Sequence, residues 1–187
     1  HRITAFRFAC QNGHEHIALL LISHGCDIYR VDADGFSPFL LASHYGCLKV
    51  TTLLVDKGVK IDKADNDGGT PLFMACQEGH SKVAALLLDN GANIDVATAK
   101  GATALIVATC SITERPQVVA LLLKRGANMD ATVPDGRTAL DFATEAGHHE
   151  IVAMLNAETG KRAAAATGAA DESKGDGAGE SPSLEGA

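Results

Sequence analysis

The sequence predicts a mainly α solenoid, built of helix-turn-helix units joined by projecting β-hairpin loops. Three observations lead there. A short block anchored on a hydroxyl residue recurs at Thr4, Ser37, Thr70, Thr103 and Thr138, at intervals of 33, 33, 33 and 35 residues. Self-similarity at that period marks units too small to bury their apolar faces alone, which therefore stack on their neighbours. Apolar residues follow most blocks in two short runs at i, i+3, i+4 spacing, each run closed by a glycine, the pattern of two brief amphipathic helices. Hydrophobic residues make up 46% of the 187, yet aromatics only 4% with no Trp. Such an Ala- and Leu-rich content suits thin helical layers better than a large globular centre.

The array is drawn over residues 1–159, in repeats 1–31, 32–64, 65–97, 98–132 and 133–159. Repeat 1 enters at Thr4-Ala5-Phe6 and reads as truncated. Its Ile3, Phe6 and Phe8 form an apolar layer with no preceding repeat to cover it, which predicts self-association. Ile17, Leu20 and Leu21 mark its second helix, which Gly25 ends. Repeat 2 repeats the plan with Ser37-Pro38-Phe39, Gly46, the stripe Val50/Leu53/Leu54 and Gly58.

Repeat 3 shows the logic most fully. Asp65-Asn66-Asp67-Gly68-Gly69 is dense in turn formers. Thr70 caps a helix with its hydroxyl, and Pro71 fits the first helical position, where a missing N–H is harmless. Leu72, Ala75 and Cys76 line the buried side of that helix, and Gly79 stops it. Val83, Leu86 and Leu87 stripe the second helix up to Gly91. Ala92-Asn93-Ile94-Asp95 then leads into the next reversal.

Repeat 4 keeps Thr103-Ala104-Leu105 and the stripe Val118/Leu121/Leu122, but Cys110 to Pro116 adds two residues in place of the inter-helix Gly-His. Thr113 is expected to cap its second helix, with Pro116 in the first turn. Repeat 5 carries Ile151/Met154/Leu155, while Asn156 and Glu158-Thr159 make its outer face polar, as a terminal unit requires. Residues 160–187 form an acidic Ala/Gly/Ser-rich tail whose only large aliphatic is Leu184, a composition that predicts disorder. Lys161-Arg162 and the alanines after them are expected to extend the last helix by a turn or two. Removing 160–187 is therefore expected to leave the melting midpoint unchanged.

Charge and cysteine usage narrow the function. A net charge of −7 argues against nucleic acid and against anionic membrane surfaces, both of which call for a basic footprint. No apolar run approaches membrane-span length and no leader pattern is visible. Cys10, Cys26, Cys47, Cys76 and Cys110 are odd in number and scattered, so they read as reduced thiols of an intracellular, cytoplasmic protein.

Taken together, these blocks resemble the ankyrin repeat, D-x-x-G-x-T-P-L-H-x-A followed by G-H and L-L-L-x-x-G-A-x-I-D. Thr70-Pro71-Leu72, Gly79-His80, Leu86-Leu87-Leu88 and Gly91-Ala92-Asn93 carry the closest match, and the likeness spans residues 1–159. It implies an L-shaped unit, with hairpins and first helices lining a concave face that binds another protein. The family's His after T-P-L is replaced by Arg7, Leu40, Phe73, Ile106 and Asp141. Its hydrogen bond to the Thr hydroxyl is thus expected to be missing from every copy, loosening the junctions.

Other constellations read as structural. His14, His80 and His148 fill one repeat slot, and His14-Glu15-His16 and His148-His149 lie whole repeats apart, so no metal site is expected. Gly68-Gly69 lacks the strand and the G-K-[ST] of a phosphate loop. No nucleophile elbow surrounds any Ser. We therefore expect no catalysis, no cofactor and no small-molecule substrate. Asp62, Asp95 and Asp130 sit where some ankyrin proteins are hydroxylated, the competing role being a turn-stabilising carboxylate. Ser181-Pro182 has the form of a phosphorylation site or of ordinary low-complexity sequence.

Binding residues are sought among those that core packing does not explain. Phe6 and Phe39 share the core slot of Leu72, and Phe8 and Phe142 that of Met74. Tyr29 instead replaces the stem Asp, Phe36 occupies a hairpin slot that holds Gly69, Ala102 and Arg137 elsewhere, and Tyr45 ends a first helix. With His44, Asp67, Gln77, Glu78 and the fingertips Lys100 and Arg137, they make up the candidate partner-binding set. Asp67 and Glu78 suggest an apolar partner segment with a basic flank. Tyr29 and Phe36 packing on each other across the hairpin is the competing arrangement. The function expected is a protein-interaction scaffold or adaptor. The alternative is the recognition module of a larger enzyme, ubiquitin-ligase adaptor or channel.

Overall fold

Capped helix starts set the architecture. In the computed structural model, which describes residues 2–111 and 115–171, the hydroxyls of Ser37, Thr70, Thr103 and Thr138 accept the N–H of the residue three positions on. Each thereby satisfies one of the donors a helix leaves open at its start. The helices pair as α1 (Arg2–Gln11) with α2 (Glu15–Ser23), α3 (Pro38–His44) with α4 (Leu48–Asp56), and α5 (Pro71–Glu78) with α6 (Ser81–Asp89). Then come α7 (Ala104–Thr109) with α8 (Pro116–Lys124), and α9 (Ala139–Glu145) with α10 (His149–Asp171).

Odd-numbered helices pack on one another as one layer and even-numbered helices as a second. Phe6, Phe39, Leu72 and Leu105 from the first layer and Val50, Leu54, Val83, Leu87, Leu122 and Ile151 from the second close a continuous core. Phe8 and Phe142 depart from the core assignment made for them. Phe8 is 60% exposed, with no helix of the described residues packed over it, and Phe142 is half-buried beneath the guanidinium of Arg137. The side chain of Ile3 lies outside the described residues.

Between helix pairs the chain projects fingers, each closed by a backbone bond from the N–H of Asp32, Asp65, Thr98 or Val133 to the carbonyl of Phe36, Gly69, Ala102 or Arg137. A second bond runs from the tip glycine N–H back to the same first residue's carbonyl. No strand is present among the described residues, so the hairpins are turn-closed loops. Neighbouring fingers join edge to edge: Asn66 N–H donates to Asp34 C=O at 3.2 Å, and Ala99 N–H to Asp67 C=O at 2.8 Å. The contact is close enough that a Cβ on Gly35, at φ +86°, would meet Asn66 N at 2.7 Å.

A second seam ties each inter-helix loop to the repeat before it. Cys47 Sγ donates to Cys10 C=O at 3.7 Å, His80 Nε2 to His44 C=O at 3.0 Å, and Arg115 Nη1 to Cys76 C=O at 3.4 Å. One loop position thus satisfies a carbonyl at the end of the previous first helix, whatever residue fills it. Stem carboxylates do similar work: Asp62 accepts Asn93 N–H at 3.2 Å and Asp95 accepts Asn128 N–H at 2.9 Å. In every one of these contacts the donor lies on the later repeat and the acceptor on the earlier. The Arg7–Asp32 ion pair runs the other way.

Three expectations are corrected. The bond to the Thr hydroxyl is not missing from every copy, because Asp141 Oδ2 accepts from both Thr138 Oγ1 at 2.7 Å and Thr138 N–H at 2.8 Å, completing a capping box. Those donors hold the Asp141 carboxyl below its ordinary range. Elsewhere Leu40 and Ile106 bury in the same slot and pack the junction. At α8 the capping position belongs to Arg115, whose side chain makes no cap bond, while Thr113 lies outside the described residues. Finally, α10 continues to Asp171, beyond the boundary placed at 160, and residues 172–187, with Leu184 and Ser181-Pro182, lie outside the described residues.

Candidate functional site

The site begins with Phe36, at the base of the second finger. Asp32 Oδ1 accepts its N–H at 2.9 Å, while Asp32 Oδ2 pairs with the Arg7 guanidinium. That guanidinium carbon lies 5.5 Å from the Phe36 ring centroid, a cation–π distance. One end of α3 supplies the next two rings. His44 meets Phe36 edge-on at 6.4 Å, and Tyr45 packs against His44 at 4.7 Å. Ring edges against ring faces are a favoured aromatic geometry.

These rings border a cleft of about 280 Å3 floored by Leu41 and rimmed by Asp34 and Asp67. A second cleft of about 350 Å3 adjoins it, sharing Phe36, His44 and Asp67 and adding Phe73, Gln77 and Lys100. Together they form one groove between fingers and first helices, spanning repeats 1 to 4. Burial holds the His44 imidazole below its ordinary pKa, with Glu78 opposing that shift, and its buried Nδ1 has no hydrogen-bond partner. His80 is lowered in the same way, again chiefly by burial.

The groove gathers Phe36, His44, Tyr45, Asp67, Gln77 and Lys100 from the candidate set. Glu78 lines neither cleft but sits close enough to act on His44 and His80. Tyr29 is elsewhere. It is 67% exposed and lines a different cleft with Val31, Phe39 and Val59, so it does not share Phe36's groove. Arg137 is held internally, paired with Asp135 at 2.7 Å and Glu145 at 2.9 Å and stacked 4.3 Å over Phe142. Residue-level reasoning missed Arg7, Asp34 and Phe73. Arg7 had one available signal, a positive charge in a slot filled elsewhere by Leu40, Phe73, Ile106 and Asp141.

Four cysteines are buried and Cys110 is exposed; burial pushes the Cys76 thiol up to about 12. Among the described residues no group of three or more His, Cys, Asp or Glu is placed to hold a metal ion. None of their helices is long and apolar enough to cross a membrane.

A family model described as ankyrin repeats in three copies matches residues 2–65, 60–133 and 95–164. This chain belongs to the ankyrin repeat family. The matched segments overlap and reach all five helix pairs of the ankyrin array, ending within α10. Ankyrin repeats are in general protein–protein interaction modules, and the family is typically non-catalytic. No curated protein matches this ankyrin chain.

Proposed function

We propose that this ankyrin array is a non-catalytic scaffold that captures an extended segment of a partner protein in the groove between its fingers and first helices. The segment carries an apolar anchor and a basic flank. The observation that supports this reading is the run of two adjoining clefts sharing Phe36, His44 and Asp67, apolar at the base and acidic at the rim. Asp34, Asp67 and Glu78 have no ion-pair partner among the described residues, so their charge is available to a cationic side chain. Phe36 and Tyr45 are half-buried, leaving ring surface to bury on binding. Aromatic anchors of this kind typically cost ~2 kcal/mol or more when truncated.

The test is an interaction screen of the wild type against a Phe36→Ala/Tyr45→Ala protein, after circular dichroism has shown both to be folded. Loss of a shared set of partners supports the groove. If the double variant keeps every partner at unchanged affinity, the binding site lies outside it.

A further inference from the structure

The cleft beside Tyr29 lies at the one inter-repeat stem where the carboxylate is missing. At the next two stems Asp62 and Asp95 each accept a backbone N–H from the following repeat, that of Asn93 and of Asn128. One period earlier the same two positions are Tyr29 and Lys60. No acceptor meets the Lys60 N–H among the described residues, and the Tyr29 ring stands out into solvent at 67% exposure. What opens there is a cleft of about 360 Å3 with an apolar wall of Val31, Phe39 and Val59 and two lysines, Lys60 and Lys63, at its edge. Neither lysine makes an ion pair among the described residues. The only carboxylate at this stem's start, Asp27, is turned to its own chain, accepting Tyr29 N–H at 3.0 Å.

We propose that this cleft is a second docking site, for an acidic segment of a partner protein. An Asp or Glu carboxylate of that segment takes the place of the missing stem carboxylate, against the Lys60 N–H and between the two ammonium groups. An adjoining apolar side chain fills the space beside Tyr29, Val31 and Val59. The charge preference is opposite to that of the finger groove, so the two sites select different ligands. A carboxylate receiving an N–H and two ammonium charges is the strong, charge-assisted kind of contact.

The experiment titrates isotope-labelled protein to millimolar concentration with an acetylated, amidated pentapeptide, Gly-Leu-Asp-Leu-Gly, following backbone amides by NMR. The Lys60 amide is expected to move, and the Asn version of the peptide is expected to bind about tenfold more weakly, the loss of a charge-assisted hydrogen bond. Tyr29→Asp rebuilds the internal carboxylate and should abolish binding while raising the melting temperature. Lys60→Gln/Lys63→Gln, at solvent-facing positions, should weaken binding and flatten its salt dependence. The proposal is overturned if the Lys60 amide stays still, if the Asn peptide binds equally, or if Tyr29→Asp binds as wild type does. Binding lost in the Phe36→Ala/Tyr45→Ala protein instead would place the peptide in the finger groove and overturn it as well.

Discussion

Arg162 Nη1 donates to the carbonyl oxygen of Ala127 at 3.0 Å, 35 residues earlier, and so ties the last helix to the end of α8. Its Nη2 reaches Leu123 C=O at 3.5 Å, and Glu158 steadies Nε at 3.1 Å. Carbonyls at a helix end accept such donors readily, and a guanidinium from the last helix is well suited to that task.

Arg162→Ala should therefore lower stability by about 1–2 kcal/mol, the lower part of the range for a charge-assisted hydrogen bond because the side chain is 38% exposed. Removing residues 160–187 should do the same, which reverses the expectation drawn from composition alone. Removing only 172–187 should leave the urea midpoint unchanged, and equal midpoints for all three proteins would show that the clamp contributes nothing.

A matched pair of glycines separates backbone strain from contact. Gly46 and Gly58 both hold positive φ, at +69° and +74°, but a Cβ on Gly46 would lie 2.6 Å from the His80 ring while one on Gly58 meets nothing within 4 Å. Gly58→Ala should cost about 1 kcal/mol. Gly46→Ala should cost at least about 1 kcal/mol more, because His80 is tethered to His44 C=O and cannot swing away freely. Adding His80→Ala should recover that excess in a double-mutant cycle.

Acid should weaken the array through His44 and His80. Burial lowers both folded-state pKa values below the ordinary 6.5. The unfolded chain then binds more protons than the folded one, so stability falls as pH drops below 6.5 and levels off below the folded values. Melting temperatures of wild type and a His44→Gln/His80→Gln protein should converge in slope above that pH and diverge beneath it. Parallel curves throughout would remove the two imidazoles from the acid response.

Thiol labelling should follow exposure. Cys110 should react in the folded protein, more slowly than a free thiol because partial burial raises its pKa. Cys10, Cys26, Cys47 and Cys76 should react only when the array opens, so urea should release them together with the loss of helical signal.

The α1/α2 face exposes Phe8 at 60%, Ile17 at 39% and Leu20 at 57%, in slots that inner repeats bury or half-bury. Sedimentation should show concentration-dependent self-association that Phe8→Glu/Leu20→Glu abolishes. An unchanged sedimentation profile would show that this face does not mediate it.

Much of the fold was legible because each recurrent residue solves a local problem. A Thr before a helix caps it and a glycine after a helix turns left, so period and boundaries can be read position by position. Phe8 and Phe142 misled because slot equivalence assumes a neighbour on both sides, which no described residue supplies at the outer face of either end. The groove was partly legible: Phe36, His44, Tyr45 and Asp67 fall on one face by register alone. Arg7 on Asp32 and Arg162 on Ala127 were not, since they depend on how far one repeat is displaced from the next. Tyr29 was correctly singled out as a departure, but register could not tell which side of the finger its ring would take.

The direction of the inter-repeat bonds makes the stack chemically polar along its length. The junctions between repeats 2 and 3 and between repeats 3 and 4 offer oxygen toward the C-terminal side and receive N–H, imidazole or guanidinium donors from it. The two ends are consequently not interchangeable. A unit joined at the far end would have to arrive bearing hydrogens, in the same sense in which Arg162 of the last helix brings them to repeat 4 carbonyls, whereas a unit joined ahead of α1 would have to present lone pairs. Inverting a repeat would set donor against donor and oxygen against oxygen at its seams even if every apolar contact were preserved, whereas reordering repeats in the same orientation would keep the match.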